Sequence, residues 1–83
     1  MKILVTGVAG FIGFHISNFL TQKNIKVIGI DNLDDYYSVN LKKKRLHYLK
    51  KNKNFSFIKV DIASNKLKET LKRYNFNVVI HLA

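Results

Sequence analysis

Thr6-Gly7-Val8-Ala9-Gly10-Phe11-Ile12-Gly13 decides how this chain is read, because its three glycines stand where an apolar run gives way to a stretch of helical period. The run before it, Lys2-Ile3-Leu4-Val5-Thr6, is short and ends abruptly at Gly7, as a strand buried on both faces does. After it, Ile12, Ile16, Phe19 and Leu20 fall at i, i+4, i+7 and i+8, which predicts the buried face of a helix from Phe11 to Lys23. Gly7 permits a tight turn out of the strand, Gly10 lets main chain approach a diphosphate with no Cβ in the way, and Gly13 lets the helix pack close to the sheet. An anion seated there meets the N–H groups near Phe11 and Ile12 and the positive end of the helix dipole. The same spacing also serves a tight turn with no ligand, so the surroundings must decide.

The surroundings supply a carboxylate. Ile25-Lys26-Val27-Ile28-Gly29-Ile30 reads as a second strand, and Asp31 stands at its end, 18 residues after Gly13. There a carboxylate accepts hydrogen bonds from both hydroxyls of an adenosine ribose and repels a ribose 2′-phosphate. No Arg or Lys adjoins Asp31 in sequence to compensate such a phosphate, so NAD is expected rather than NADP. Simple turn capping is the competing role for Asp31. Asp34 and Asp35 are read as solvating the loop, since a calcium loop needs a central Gly and a terminal Glu that are missing.

Further along, apolar β-type runs keep alternating with helical stretches. Ser38 is a candidate N-cap for a helix to about Lys51, with Leu41, Tyr48 and Leu49 as a thin apolar stripe. Phe55 to Val60 is a third strand, and Ser64 is placed to cap a short helix with Leu67, Leu71 and Tyr74 on one face. Val78 to Leu82 is a fourth strand. The order βαβαβαβ with right-handed crossovers predicts an α/β fold of three layers, Rossmann-type, whose parallel sheet has strand order 3-2-1-4. That is the N-terminal half of a doubly wound fold.

Composition narrows the possibilities. Eighty-three residues make one domain at most, burying roughly 63% of the unfolded surface by size scaling. With no Cys, disulfides, thiolate metal sites and a Cys nucleophile are excluded. His15, His47 and His81 are scattered, so no metal site is expected. Ile3 to Leu20 carries no formal charge, but Gly7, Gly10, Gly13, His15, Ser17 and Asn18 interrupt it and no cleavage pattern follows; neither a signal peptide nor a membrane association is expected, and a cytoplasmic setting is. The net charge of +10 accompanies a Lys, Asn and Ile bias and reads as solubility. Seven cations lie within Lys42 to Lys53, which opens an alternative of another class, a non-catalytic nucleic-acid-binding module. Such charge is usually a solvated helix face, and no aromatic stacking platform accompanies it, so nucleic acid is not the expected partner.

The motif TGVAGFIG resembles the TGxxGxxG turn of the extended short-chain dehydrogenase/reductase family, the NAD-dependent epimerases and dehydratases. FIGFH and DNLDDYYSVNLKKKRL resemble UDP-glucuronate 4-epimerases in particular, with a related dehydratase, reductase or UDP-glucose 4-epimerase as the alternative. The resemblance covers residues 1–83 and implies a partial NAD-binding Rossmann domain, the N-terminal part of such an enzyme. It places Gly7, Gly10, Phe11, Ile12 and Gly13 on the diphosphate, Asp31 with Asn32 on the adenosine ribose, Asp61 and Ile62 on adenine, and Leu82 and Ala83 beside the middle of the cofactor. Core packing is the competing role for Ile62, Leu82 and Ala83.

The family's chemistry implies a Tyr that removes the proton of the sugar 4-hydroxyl while NAD takes the hydride from carbon 4, and a Tyr-x-x-x-Lys motif that lowers the Tyr pKa. No catalytic residue is assigned here: the positions four after Tyr36, Tyr37, Tyr48 and Tyr74 are Asn40, Leu41, Asn52 and Val78. Family members continue beyond His81-Leu82-Ala83, so the chain reads as truncated, and a UDP-sugar partner is expected only of a full-length relative. An uncovered fourth strand also predicts self-association through that edge.

Overall fold

The computed structural model describes residues 1–33, 39–61 and 63–82. Four strands, β1 (Lys2–Thr6), β2 (Lys26–Asp31), β3 (Phe55–Lys59) and β4 (Val78–His81), alternate with helices α1 (Phe11–Gln22), α2 (Val39–Lys50) and α3 (Lys66–Lys72). The sheet is parallel throughout and ordered β3-β2-β1-β4, as the crossover rule requires. In register, Thr6 lies opposite Ile30 on one side and His81 on the other, so the ends of β1, β2 and β4 share one edge.

Side chains alternate across this sheet and build a core on each face. Ile3, Val5, Val27 and Phe55 pack with Val8, Leu46 and Leu49, and Phe14 and Leu20 close that layer from α1. Leu4, Ile28, Ile30 and Val60 face the opposite way onto Leu67 and Leu71 of α3. The result is three layers, with α1 and α2 on one face and α3 on the other.

Helix α1 buries only part of the face its apolar period predicts. Leu20 packs on the core and Ile16 is half-buried, but Ile12 and Phe19 are each 60% exposed, and Gly13, Ser17 and Thr21 turn to the sheet. The cause is proximity: a Cβ on Gly13 would stand 2.3 Å from the Gly7 carbonyl oxygen, so a helix seated this low accepts only small residues on its inner side. Thr21 satisfies its buried hydroxyl by donating to the Ser17 carbonyl at 2.8 Å. Asn24, at φ 63°, then ends the helix in the left-handed conformation, with the Ile25 N–H donating back to the Leu20 carbonyl.

Helix α2 also meets expectation only in part. Leu49 is buried as its stripe predicts, but Leu41 and Tyr48 are exposed, and Lys42 and Leu46 are buried beside Leu49. The expected cap Ser38 lies outside the described residues. Ser64 caps nothing with its side chain: α3 begins after Asn65 without a side-chain cap, and Ser64 is engaged through its main chain, its N–H donating to the Asp61 carbonyl and its carbonyl accepting the Leu67 N–H. Leu67, Leu71 and Tyr74 do pack on the core as their spacing predicts.

Candidate functional site

The site grows from the turn between β1 and α1. Gly7 takes φ 68°, a left-handed conformation that costs a glycine little, and its carbonyl accepts the Gly10 N–H at 3.1 Å. Gly10 is the extended N-cap of α1, and no side chain caps the helix and no acidic residue occupies its first turn. The N–H groups that open α1 thus sit at the positive end of a helix dipole with no built-in anion. Gly13 holds the helix against this turn, since its missing side chain is what admits the Gly7 carbonyl and the Val8 Cα.

Asp31 reaches into the turn from the end of β2. Its carboxylate is buried; Oδ2 accepts the Ala9 N–H at 3.0 Å and Oδ1 accepts the Leu33 N–H at 2.8 Å. The second bond draws Leu33 into a left-handed φ of 56°. Each oxygen therefore keeps a lone pair after the protein has used one, which fits a ligand that donates two hydroxyls. Two residues of the strand neighbourhood complete the fit: Gly29 carries no side chain because a Cβ there would meet the Val8 methyls at 2.6 and 2.7 Å, and Val8 donates its N–H to the Ile30 carbonyl.

Two cations that sequence reasoning did not single out frame the same turn. Lys42 Nζ lies 3.8 Å from Asp31 Oδ1, with both side chains nearly inaccessible. Arg45, one turn further along α2, donates to the Ala9 carbonyl at 3.0 Å, its guanidinium 5.9 Å from the Phe11 ring. Ala9 is therefore gripped at both ends, its N–H by Asp31 and its carbonyl by Arg45. Asp31, with no Lys or Arg beside it in sequence, thus has a cation close by in space. The signal for both cations was their spacing: Lys42, Arg45, Leu46 and Leu49 fall at i, i+3, i+4 and i+7, one helical face.

The remaining predicted residues gather at the same sheet edge. Asn32, Val60, Asp61, Ser64, Lys59 and Lys66 line a cavity of about 380 Å³ beyond the ends of β2 and β3. Asp61 is exposed and accepts the Ala63 N–H at 2.9 Å. On the other side, the Leu82 N–H donates to Thr6 Oγ1 at 2.9 Å, and that hydroxyl is 2.7 Å from His81 Nδ1, so Thr6 ties the end of β1 to β4. Phe11 and Ile12 are exposed at the mouth of the turn. Ile62 and Ala83 lie outside the described residues.

A ligand laid across this edge would run from the cavity by Asp61, past Asp31, over the glycine turn and toward Leu82, at the C-terminal ends of parallel strands where open α/β sheets take nucleotides. This is the dinucleotide-binding half-fold of the extended short-chain dehydrogenases/reductases. Within that class the chain belongs to the family described as GDP-mannose 4,6 dehydratase, whose model matches residues 4–83.

Individual relatives agree. A UDP-glucuronate 4-epimerase of Thermodesulfobacterium geofontis is 49% identical over 81 residues, which are 96% of this chain and 25% of the relative. The crystal structure of a Bacillus cereus UDP-glucuronic acid 4-epimerase in complex with NAD superposes with a TM-score of 0.88 at 40% identity, over 100% of this chain and 26% of that one. A dTDP-glucose 4,6-dehydratase of Bacillus anthracis in complex with NAD gives 0.81 at 29% identity, again over 100% and 26%. The chain thus spans about a quarter of the length of the relatives it matches.

Proposed function

We propose that this chain binds the ADP portion of NAD and is the cofactor-holding N-terminal unit of a nucleotide-sugar epimerase, with UDP-glucuronate 4-epimerisation as the reaction of the whole enzyme. One observation carries the reading: Asp31, at the end of β2, is hydrogen-bonded to Ala9 inside the glycine turn, which puts a ribose acceptor and a diphosphate cradle into a single rigid unit. The residues fit the group. Gly13 leaves the turn clear of a Cβ, the first turn of α1 has no anion of its own, and Asp31 retains acceptor capacity.

In this reading the N–H groups opening α1 hold the diphosphate, Asp31 and Asn32 orient the adenosine ribose, and Asp61 borders the adenine cavity. Leu82 and the Thr6 link set how closely β4 approaches the middle of the cofactor. Bound NAD supplies a hydride acceptor. The proton-transferring Tyr and its Lys are not among these residues, and the chemistry of the sugar belongs to the longer enzyme. UDP-glucuronate is preferred over other sugars on the 49% identity to an epimerase of that specificity, with a dehydratase as the second reading on the TM-score of 0.81. The burial of Lys42 removes one cation from the helix face that a nucleic-acid module would present.

Titration of the chain with ADP-ribose tests the assignment. Amide resonances of Gly7 to Gly13 are expected to shift, and Asp31→Ala is expected to weaken binding at least about tenfold, the worth of one or two hydrogen bonds to a charged acceptor. Unchanged amides in the turn, with Asp31→Ala behaving as the wild type, would refute the reading.

A further inference from the structure

We propose that the outer face of α2 carries a second site, for a nucleoside di- or triphosphate, built from Lys43, Lys44, His47, Tyr48 and Lys51. These five residues line an open groove of about 520 Å³ on the side of the helix turned away from Leu46 and Leu49, which enter the core. The groove shares no residue with the glycine turn, with Asp31 or with the cavity by Asp61, so the site is independent of the dinucleotide reading.

Its charge is unbalanced. Among the described residues, Lys43, Lys44 and Lys51 form no ion pair, and all three side chains are exposed. Residues 36–60 contain no Asp or Glu; Asp35, the acid nearest Lys43 in sequence, precedes it by eight positions and lies outside the described residues. Three ammonium groups around one groove repel each other, and a polyanion seated there turns that repulsion into attraction. Lysine binds phosphate as a point charge, without the fixed fork that an arginine needs.

Tyr48 makes the groove more than a charged surface. Its spacing predicts burial, yet it is 49% exposed among the lysines, with its ring against Phe14 of α1 at a centroid separation of 5.7 Å. The lysine run thereby gains an aromatic surface, held in place from behind, on which a base can stack. A smaller cavity of about 270 Å³ shares Tyr48 and Lys51 and adds the amides of Asn18 and Asn52. The oxygens of those amides already accept hydrogen bonds from Gln22 and from the Asn54 N–H, which leaves their NH₂ groups to donate to ribose hydroxyls. A nucleic-acid strand takes a row of rings, one for each stacked base, whereas one ring in one groove suits a single nucleotide.

Two-dimensional NMR of the 83-residue chain, titrated with GTP, inorganic tripolyphosphate and a short single-stranded oligonucleotide, tests this. GTP, which lacks adenine, is expected to move the amides of Lys43 to Asn52 saturably, with a Kd on the order of 0.1–1 mM. A Lys43→Gln, Lys51→Gln double variant is expected to lose about tenfold in affinity. Tripolyphosphate carries at least as much charge as GTP, so charge alone gives GTP no advantage; the wild type is expected to bind GTP about fivefold tighter through the base. Tyr48→Leu is expected to abolish that preference, and Tyr48→Phe, which keeps the ring, to retain it. Should Tyr48→Leu not fold, the wild-type preference decides. The proposal is overturned if these amides show no saturable shift, if GTP moves only those of Gly7 to Gly13, or if tripolyphosphate binds as tightly as GTP. An oligonucleotide bound more than about tenfold tighter than GTP at the same amides also overturns it and assigns the face to nucleic acid.

Discussion

Gly13 shows what a single residue settles in this molecule. A Cβ added there would meet the Gly7 carbonyl oxygen at 2.3 Å and the Val8 Cα at 2.9 Å, and both are main chain that cannot rotate away. Gly13→Ala is therefore expected to cost about 2–3 kcal/mol, the upper range for overpacking, as a lowered urea midpoint with an unchanged slope. A variant within about 0.5 kcal/mol of wild type would mean that α1 is not seated against the turn at all. The glycines and Asp31 were legible in the sequence because each answers a local need of the backbone at a fixed offset from a strand end. Lys42 and Arg45 were not, since seven cations crowd residues 42–53 and composition does not say which of them turn inward. Leu46 and Leu49 make that choice by entering the core, which rotates Lys42 under the carboxylate of Asp31.

At the scale of the element, α1 separates two things that amphipathic patterns usually join. Its apolar period predicts burial of Ile12 and Phe19, yet the close approach demanded by Gly13 selects Gly13, Ser17 and Thr21 for the inner face. Ser17 is fully buried, and its hydroxyl finds no partner among the described residues. Ser17→Ala is then expected to stabilise the chain by about 1 kcal/mol, because a buried hydroxyl without a hydrogen bond carries a desolvation cost that a methyl group does not. Phe19→Gln on the outer face is expected to change stability by less than about 0.5 kcal/mol. Thermal unfolding of the two variants reads both; a strongly destabilised Phe19→Gln paired with a Ser17→Ala that changes little would reverse the assignment of faces. Element order and type were legible throughout, whereas the buried side of α1 and α2 was legible only in part, at Leu20 and Leu49. Hydrophobic period reports how apolar residues are spaced, and backbone clearance decides which side can come near.

For the whole molecule, the order β3-β2-β1-β4 was legible from βαβ alternation alone, because right-handed crossovers leave few other arrangements. That order places β1 in the middle and β4 at an edge where, among the described residues, its only strand partner is β1. The two edges are guarded differently. Strand β3 ends in Lys59, but β4 reads Val-Val-Ile-His with no Lys or Pro, and Val79 is 56% exposed. Such an apolar edge with open backbone N–H and C=O groups is a template for another strand, and a second copy of this chain carries an identical one. The net charge of +10 opposes that encounter through repulsion that salt screens. Sedimentation velocity on the 83-residue chain is therefore expected to show concentration-dependent association that strengthens as salt rises, the reverse of an association built on ion pairs. Val79→Lys, which places a charge on the edge, is expected to return the chain to a monomer at the same concentration. A wild-type chain that stays monomeric at high protein and high salt would show that the edge of β4 is protected by something other than charge repulsion.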